Sequence, residues 1–490
     1  NLIKKSGKNL DLQTIPIDDK KTYEMLSQGH CIGVFQFESS GMRETIKKIG
    51  PDNIGDLIAL GSLYRPGPMD NIPSYINRKH GKEEIDYVHP LLETVLKETY
   101  GIIVYQEQVM EIAQILANYT LGEADLLRRA MGKKIKEEME AQRSKFVTGC
   151  VDNHIDKGKA EEIFNLVNKF ASYGFNKSHA AAYAYISFQT AYLKANYTLE
   201  FISSSINLEI DNTDKIYVFI IEAKKFDIDI LLPDINYSKS EFTIEDNKIR
   251  FGLAGLKGVG KKAIDLMVEE RDKNGKYKDV FDFVERLSDI SLSKKILENL
   301  IKSGAFDNFG NNRSSLLLNM NILLKHATSK NHNEDQLDLF FDASSDSKFR
   351  PKLEECEKWD EKEKLSAEFE SFGYYISTHP IEKYKCFFEK LNISEAIDID
   401  KIESSLSKIK LIGVLISKKI RSTPRGKYAF LQISDLKGII DLAIFDEALL
   451  YNSNELLVEG NSLYFSVEVR KDNAGVRIIA ESVEDIDQAI

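Results

Sequence analysis

The sequence predicts a multidomain protein in which a mainly α-helical part with a helix–hairpin–helix module precedes a small β-barrel of the OB type. Apolar residues three and four apart recur through residues 1–325, the period of amphipathic helices. Gly258 and Gly260 allow a tight hairpin inside that helical part. Five short stretches of alternating residues then follow, as is typical of an OB barrel. They are Ile409–Ile416, Tyr428–Ile433, Ile439–Ile444, Ser462–Val469 and Gly475–Ala480.

Length and composition favour several globular domains. The 490 residues exceed an ordinary domain, and 42% of them are hydrophobic, which is enough for several cores. The formal net charge of −11 excludes a uniformly basic coat for nucleic acid but allows local basic strips. No apolar run approaches the roughly 20 residues that a bilayer requires, so we expect no membrane partner.

The four cysteines lie far apart and form no CxxC pair. We therefore expect neither a disulfide framework nor a zinc knuckle, no metal ligands in this chain, and a reducing, cytoplasmic location. The chain starts at Asn1, with neither a methionine nor a signal-peptide pattern. We therefore expect it to be a fragment of a longer protein.

Shifts in composition divide the chain into four expected domains: a helical core, a second helical part with the hairpin, a polar linker with some helix, and the barrel. Prolines forbid a helix at Tyr64–Pro68, and a short β-like stretch is expected at Phe242–Leu253. The linker is rich in Ser, Asn, Asp and Lys, with a helix expected only from about Glu361. The expected domains are residues 1–210, 211–325, 326–405 and 406–490.

A run of cations without any acid extends from Arg128 to Lys136. Such a cluster can clamp a triphosphate, because arginine makes bidentate contacts and lysine supplies point charges. Gly132 can end the helix that carries the arginines. The alternative is a solvated basic helix end, which also complements the helix dipole. The candidate phosphate ligands are Arg128, Arg129, Lys133 and Lys134.

The segment Tyr173–His179 precedes an alanine-rich stretch that predicts a helix. Ser178 can cap this helix, and the helix N-terminus is then a ready anion site. Lys177 and His179 would lie beside that site. The alternative is an ordinary capped helix with a solvated or hydrogen-bonded histidine.

The stretch Leu253–Ile264 has the helix–hairpin–helix pattern. Its glycines allow backbone N–H groups to face a phosphate, which is how such a unit grips DNA without reading sequence. The alternative is a glycine turn used only in packing. The candidate DNA-binding residues are Lys257, Gly258, Val259, Gly260, Lys261 and Lys262.

The peptide Gln336–Phe340 places apolar side chains in polar linker sequence, where nothing nearby can bury them. Exposed apolar anchors of this kind are typical of a docking peptide that orders on a partner. The alternative is an amphipathic turn packed on its own domain. The candidate residues are Gln336, Leu337, Asp338, Leu339 and Phe340.

The stretch from Lys408 to Lys427 holds seven basic residues and no acid. Together with Tyr428 and Phe430, it fits a single-strand groove in which rings stack on bases. The alternative is an edge strand kept soluble by its charge. The candidate DNA-binding residues are Lys418, Lys419, Arg421, Arg425 and Lys427.

Several blocks together resemble the bacterial C-family replicative DNA polymerases, in the same order and spacing over essentially the whole chain. Besides the basic run at Arg128, they are Phe35–Met42, Tyr64–Pro68, Asn77–Gly81, Tyr100–Met110, Tyr173–His179 and Leu232–Asn236. The resemblance implies that the chain comprises the fingers, then the helix–hairpin–helix module, a sliding-clamp-binding peptide and an OB domain.

The resemblance also implies roles for single residues. Arg128, Arg129, Lys133 and Lys134 match the family's triphosphate-binding strip. Tyr173, Asn176, Lys177 and His179 match the fingers loop that faces the incoming sugar and base, and His179 would help to exclude a 2′-hydroxyl. Basic positions near the nucleotide or template match Arg65, Arg78, Lys79 and His80. The clamp peptide of the family matches Gln336, Leu339 and Phe340.

Family members hold Mg²⁺ with palm aspartates, which have no counterpart in this chain. The Asp-X-Asp pairs at Asp227/Asp229, Asp398/Asp400 and Asp485/Asp487 are expected to be surface acids. The resemblance therefore implies a parent DNA-directed DNA polymerase that uses Mg²⁺ and dNTPs, whereas this chain alone should be inactive.

The partners implied are primer–template DNA, single-stranded template, the sliding clamp and the other subunits of the replicative holoenzyme. Two alternatives stay open, a non-catalytic DNA- and clamp-binding module and an error-prone paralogue. A repair protein with a helix–hairpin–helix is disfavoured, since it would leave residues 1–210 unexplained.

Overall fold

The computed structural model describes residues 2–5, 7–133, 136–171, 174–288, 292–332, 350–399, 402, 406–424, 426–472 and 475–489. The chain forms two compact units. The first covers Asn1–Tyr197, and the second covers Thr198–Asp472 and Val476–Ile490. Each unit is described by itself below.

The first unit is built of α-helices joined by short turns. The helices are α1 (Leu2–Lys5), α2 (Lys20–Ser27), α3 (Ser40–Ile49), α4 (Ile54–Leu63), α5 (Ile72–Lys79), α6 (Glu93–Leu96), α7 (Gln106–Ala117), α8 (Leu121–Lys133), α9 (Lys136–Asp152), α10 (Lys157–Ala171) and α11 (Lys177–Asn196). Short 3₁₀ turns lie at Pro68–Asn71, Pro90–Leu92 and Lys97–Thr99.

One core of this unit lies where α7, α8, α9 and α10 pack together. Phe146 and Phe164 meet there with ring centroids 5.5 Å apart, beside the fully buried Ile112 and Leu116. Separately, α11 lies against α2 and α4. The packing thus places the start of α11 close to the end of α4, where Arg65 follows.

Two local predictions in this unit have different outcomes. Helix α4 ends at Leu63, as the prolines of Tyr64–Pro68 require. The prediction that Gly132 ends the basic helix is wrong, because α8 continues through it to Lys133. The prediction misses by one residue, since Gly132 is the next-to-last residue of α8.

The second unit begins with helices and a small sheet. The helices are α12 (Thr198–Leu208), α13 (Thr213–Lys225), α14 (Lys261–Asn274), α15 (Val280–Arg286), α16 (Lys294–Lys302), α17 (Arg313–Leu318), α18 (Met320–His332), α19 (Glu361–Phe372), α20 (Phe388–Leu391) and α21 (Ala396–Ile399). The strands are β1 (Ile230–Leu231), β2 (Thr243–Glu245) and β3 (Lys248–Arg250), in the order β1-β3-β2. The 3₁₀ turns are Leu253–Gly255, Asp307–Phe309 and Pro380–Phe387.

Helix α19 begins at the predicted residue, because Asp360 and Glu363 form a capping box there. It ends at Phe372, and the following Gly373 takes the left-handed conformation with φ 88°. The helix packs against α16, and the Tyr374 ring that follows it stacks on Tyr217 of α13 at 4.8 Å. These contacts join the linker segment to the helical half of the unit.

The C-terminal part is a closed barrel with strand order β4-β5-β6-β8-β7. The elements are β4 (Leu406–Thr423), β5 (Gly426–Ser434), β6 (Ile439–Ile444), α22 (Glu447–Asn452), β7 (Ser462–Asp472), β8 (Gly475–Asp485) and α23 (Ile486–Ala489). The five predicted strands are all present, and the predicted fold class, helices followed by an OB barrel, is confirmed.

The long strand β4 serves both sides of the barrel. Leu406–Val414 pairs with β7, and Val414–Thr423 pairs with β5, with a register shift between Leu415 and Ser417. A shift of this kind bends a strand and increases its twist. The end of β4 and the start of β5 therefore form the hairpin that carries most of the predicted basic strip.

Candidate nucleotide and nucleic-acid sites

A cleft in the first unit is lined by one cation and several aromatic rings. The Arg65 guanidinium lies 4.3 Å from the centre of the Phe175 ring, and His179 lies 5.4 Å from the same ring. His179 also meets Tyr183 at 4.6 Å. The cleft has a volume of about 200 Å³ and is lined also by Gln36 and Phe37. Burial lowers the pKa of Arg65, which still keeps its charge at any physiological pH.

Backbone hydrogen bonds join the loop before α11 to the block Tyr100–Met110. The Phe175 N–H donates to the Val104 carbonyl at 3.1 Å, and the Gln106 N–H donates to the Phe175 carbonyl at 2.9 Å. Gln106 also donates from its side chain to the Gly174 carbonyl. The block Tyr100–Met110 thus holds the loop before α11 in place.

The start of α11 carries a carboxylate of the chain itself. Asn176, not the predicted Ser178, is the N-cap, and its Oδ1 accepts from the His179 N–H at 2.8 Å. Glu107 accepts from the Lys177 N–H at 3.1 and 3.0 Å and from the Asn176 side chain at 2.9 Å. The Lys177 ammonium pairs with Glu98 at 2.7 Å. The predicted anion site therefore holds an internal anion.

The arginines of the basic run share one acid. Arg128 and Arg129 both pair with Asp125, at 2.7 and 2.8 Å, on the face of α8. The hydrogen bond from Arg128 is the main reason that the pKa of Asp125 is lowered. Arg129 remains 64% exposed. Both guanidinium groups therefore stand at the surface with one carboxylate between them.

Arg78 and Lys79 are engaged inside the first unit. Lys79 is 5% exposed, and its Nζ lies 2.7 Å from Asp56 and 3.0 Å from Asp52. The Arg78 Nε contacts Glu83 at 2.7 Å, and its Nη1 donates to the Tyr100 carbonyl at 3.1 Å. These contacts hold α4, α5 and the following turn together. They disfavour the predicted nucleotide role of both residues, which stays a prediction.

The predicted hairpin in the second unit is held by its neighbours. The Lys257 N–H donates to the Ser371 carbonyl at 2.8 Å, and its carbonyl accepts from the Asn299 side chain at 2.6 Å. Val259 is 5% exposed, and Gly258 has φ 67°, which favours glycine. The hairpin leads directly into α14, whose first residues are Lys261 and Lys262.

Two of the three lysines of this hairpin form no ion pair among the described residues, and Lys257 lies over the Phe369 ring at 5.3 Å. Lys261 pairs with Glu241 at 2.8 Å. Among the described residues, Lys257 and Lys262 form no ion pair. The N–H groups of Gly258 and Gly260 also donate to no acceptor within the described part of the chain. The hairpin thus combines free backbone donors with unneutralised cations, the combination that a phosphate oxygen requires.

The barrel carries an aromatic surface beside its predicted cations. Lys419 faces Phe430 across the β4–β5 pair, and Arg421 faces Tyr428, so these four side chains share one face. Tyr428 meets Phe430 at 5.5 Å and Phe445 at 5.7 Å. Phe430 and Phe445 are 47% and 53% exposed. We call this surface, made of Lys419, Arg421, Tyr428, Phe430 and Phe445, the aromatic face.

Lys418 and Lys427 lie elsewhere on the same hairpin, whereas Lys408 and Lys410 lie on the half of β4 that pairs with β7, where Lys408 pairs with Glu481 at 2.7 Å. Lys418 faces Leu431 and lies 3.4 Å from the Asn454 side chain, and Lys427 pairs across from Ser422. In the described ranges, none of Lys418, Lys419, Arg421 and Lys427 forms an ion pair. The hairpin end of the strip is therefore open to an anionic ligand.

Several predicted site residues are not among the residues that the structure describes. The clamp peptide Gln336, Leu337, Asp338, Leu339 and Phe340 lies outside the described residues, as do Tyr173, Lys134 and Arg425. The end of α8 at Lys133 is described only as backbone. In the described ranges, no cluster of His, Cys, Asp or Glu side chains could hold a metal ion. No helix in those ranges is long and apolar enough to span a bilayer.

The prediction from sequence omitted three residues that the geometry places at these sites. Phe445 follows β6 with no motif of its own and joins the aromatic face only through the strand register. Glu107 lies 70 residues before Lys177, so nothing local links the two. Lys295 lies on the hairpin glycine Gly258, which stands 37 positions earlier in the chain.

Three parts of the chain match known families in the order that the fold shows. Residues 1–154 match the family described as the bacterial DNA polymerase III alpha subunit finger domain. Residues 227–316 match a helix–hairpin–helix motif, and residues 409–486 match an OB-fold nucleic acid binding domain. The matches therefore describe a finger-like part followed by two modules of nucleic-acid-binding type.

Whole proteins of one kind match the complete chain. The DNA polymerase III alpha subunits of Rickettsia bellii and Borreliella burgdorferi are 42% identical to it, and that of Caulobacter vibrioides is 41% identical. Each match covers 100% of this chain and 43–44% of the relative. The chain is therefore similar over its whole length to bacterial DNA polymerase III alpha subunits, and it spans less than half the length of these relatives.

Proposed function

We propose that this chain is the fingers-to-OB part of a replicative DNA polymerase that adds deoxynucleotides to a primer 3′-end. In this proposal the chain binds the incoming dNTP with its first unit and DNA with its second unit. The proposed domain boundaries are those expected from the sequence, at residues 210, 325 and 405. The proposed location is the cytoplasm.

The aromatic face of the barrel is the observation that carries this proposal. Two of its three rings, Phe430 and Phe445, are about half exposed, and a cluster of exposed apolar side chains is typical of a binding site. Bases stack on such rings with about 1–3 kcal/mol each, and cations beside the rings attract the backbone. Lys419 and Arg421 lie on that face without an ion-pair partner among the described residues. Single-stranded template is the ligand that this combination fits.

The hairpin supplies the second DNA contact in the proposal. The free N–H groups of Gly258 and Gly260 and the charge of Lys257 and Lys262 suit a duplex backbone, which they would hold without reading sequence. The buried Val259 fixes the hairpin against its helices. The primer–template duplex is the partner that we assign to this site.

The incoming dNTP is assigned to the first unit. Arg65 and His179 line one cleft with Phe175, a surface suited to a sugar and base. Arg128 and Arg129 would take the triphosphate, exchanging their shared carboxylate Asp125 for phosphate oxygens. Mg²⁺ would be held by palm aspartates of the parent enzyme, so we propose that this chain alone does not polymerise.

The remaining partners rest on the sequence. We propose that Gln336–Phe340 attaches the chain to the sliding clamp, and that the other subunits of the DNA polymerase III holoenzyme are partners of the parent protein. An error-prone paralogue would share the fingers and the barrel. The clamp peptide favours the replicative member.

A second candidate function has one observation in its favour. The cations assigned to DNA have no acidic partner within the described residues apart from Lys261, whereas Arg128, Arg129, Arg78, Lys79 and Lys177 are paired with acids of the chain. In the chain by itself, the cations assigned to DNA are therefore more available to a ligand than the cations assigned to the nucleotide. In isolation the chain would act as a non-catalytic DNA- and clamp-binding module.

Single-strand binding by the aromatic face is the test of the proposal. Fluorescence anisotropy with a labelled oligothymidine would compare the chain with a Phe430→Ala/Phe445→Ala variant. Loss of two stacked rings should weaken binding at least about tenfold, since each stacked base contributes about 1–3 kcal/mol. Leu406→Ala, at the far end of β4, is the control and should bind as the unchanged chain does. Equal binding by the ring variant would overturn the assignment.

A further inference from the structure

We infer that Lys295 of α16 completes the phosphate-binding surface of the hairpin, although it lies 37 positions after Gly258 in the chain. This inference rests on the proposed duplex-binding function and adds one residue to that site. It assigns to Lys295 a single backbone phosphate of duplex DNA. Three observations on α16 and the hairpin support it.

The first observation is where the Lys295 side chain lies. A Cβ built on Gly258 would lie 2.5 Å from the Lys295 Cε and 3.0 Å from its Nζ. The ammonium is therefore placed directly over the glycine whose N–H is free to donate. A phosphate oxygen that accepts from this N–H would lie within reach of the ammonium as well.

The second observation is that α16 is fixed to the hairpin. Asn299 lies one helical turn after Lys295 and on the same side of the helix. Its side chain donates to the Lys257 carbonyl at 2.6 Å and is 7% exposed. The position of Lys295 over Gly258 is therefore set by packing, because the helix that carries it is bound to the same hairpin.

The third observation concerns charge. Lys294 and Lys295 stand in the first turn of α16, which holds no acid. Cations at a helix N-terminus oppose the helix dipole and cost a few tenths of a kcal/mol or more. Among the described residues, neither lysine forms an ion pair that would offset this cost. Helix stability thus gives no reason for Lys295, whereas a bound phosphate does.

The experiment uses the complete chain and a blunt, labelled DNA duplex, in a salt series from about 50 to 200 mM, the range over which phosphate contacts lose affinity measurably. Lys295→Met keeps the aliphatic stem over Gly258 and removes only the charge. One lost phosphate contact should lower the slope of log K against log salt by about 0.9 and weaken binding about tenfold at the lowest salt. Lys295→Arg, which keeps the charge, should restore the slope.

Two further variants separate the inference from the proposed function. Lys273→Met removes an exposed lysine from the opposite end of α14, about 18 Å along the helix axis, and should leave the slope unchanged. Lys262→Met removes a cation of the hairpin itself. If Lys262→Met lowers the slope and Lys295→Met does not, Lys295 only covers the glycine and the inference fails. If neither variant changes the slope, the hairpin does not bind the duplex, and the proposed duplex-binding function of this site fails.

Discussion

The carboxylate of Glu107 occupies the N-terminus of α11, with its oxygens 3.1 and 3.0 Å from the backbone nitrogen of Lys177. A helix N-terminus favours a negative charge, and in this chain the charge comes from the protein. The helix also carries His179, which lines the cleft with Arg65. A triphosphate that used this helix end would have to compete with Glu107.

Replacing Glu107 by glutamine tests that competition. The amide oxygen still accepts from Lys177, so we expect a stability loss of only about 1 kcal/mol or less. Removing a like charge about 4 Å from a bound phosphate should strengthen dATP binding about fivefold, since that repulsion is roughly 1 kcal/mol in water. Titration calorimetry with Mg²⁺-dATP measures the change.

Glu111→Gln is the matched control for this experiment. Glu111 is exposed and lines the same open depression as Glu107 without contacting the start of α11. It should leave the affinity unchanged. If Glu107→Gln also leaves it unchanged, the triphosphate binds away from α11, and Arg128 and Arg129 would be its ligands without the help of the helix.

The buried ion pair of Lys79 and Asp56 predicts a large effect on stability. Lys79→Met would leave the Asp56 carboxylate, which is 2% exposed, without its cation. Breaking a buried pair from one side typically costs about 3–5 kcal/mol. Hydrogen-exchange mass spectrometry on peptides that cover α4 and α5 should therefore show strongly reduced protection.

Two further variants test whether the loss of protection comes from the broken Lys79–Asp56 pair. Lys82→Met removes an exposed lysine just beyond α5 and should change protection little. Lys79→Met/Asp56→Asn removes both charges and should recover part of the loss, because the amide oxygen that replaces the Asp56 carboxylate can still accept from the Tyr75 hydroxyl. Full protection in Lys79→Met would contradict a structural role and return Lys79 to the candidates for nucleotide binding.

The strands of the barrel and the start of α19 could be predicted from local sequence patterns. The strands were predictable because short apolar runs bounded by turn residues indicate strands, and β6 has the predicted ends, Ile439 and Ile444. The start of α19 was predictable as well, since Asp360 and Glu363 form a local capping box. In both cases the signal and the structure lie within a few residues of each other.

The candidate sites depend on contacts that no local pattern contains. Glu107 meets Lys177 across 70 positions, and Lys295 meets Gly258 across 37. Lys79 is buried although lysine is ordinarily exposed, because two aspartates of α4 and the preceding turn neutralise it. Such facts follow from tertiary packing, so the sequence could nominate cations but could not tell which ones the chain itself neutralises.

His379 predicts how the second unit responds to acid. Burial lowers the pKa of His379 to about 4, with the charge of Lys224 adding to the effect, and its ring contacts the Ser434 hydroxyl at 2.8 Å. The folded state thus prefers the neutral ring. Its contribution to stability is complete above the unfolded pKa of about 6.5 and is lost as the pH falls from there toward 4.

The measurement is the thermal midpoint of the chain between about pH 7.5 and 4.5, compared with that of a His379→Gln variant. The difference in stability between the two should shrink by roughly 1–3 kcal/mol as the pH falls, because only the unchanged chain must keep a histidine neutral. Carboxylates contribute equally to both proteins and cancel in the comparison. A constant difference over this range would show that His379 is protonated in the folded state without cost.

The clamp peptide gives the prediction that separates the replicative member from a paralogue. Two apolar anchors at a peptide interface each contribute about 2 kcal/mol or more when they fill a pocket. Leu339→Ala/Phe340→Ala should therefore weaken binding of this chain to a bacterial sliding clamp by more than about 100-fold, measured by surface plasmon resonance at matched salt. Ser344→Ala/Ser345→Ala, in the same linker, should bind as the unchanged chain does. If the double variant binds equally well, or the unchanged chain does not bind, Gln336–Phe340 is a turn of its own domain and the error-prone paralogue becomes the better assignment.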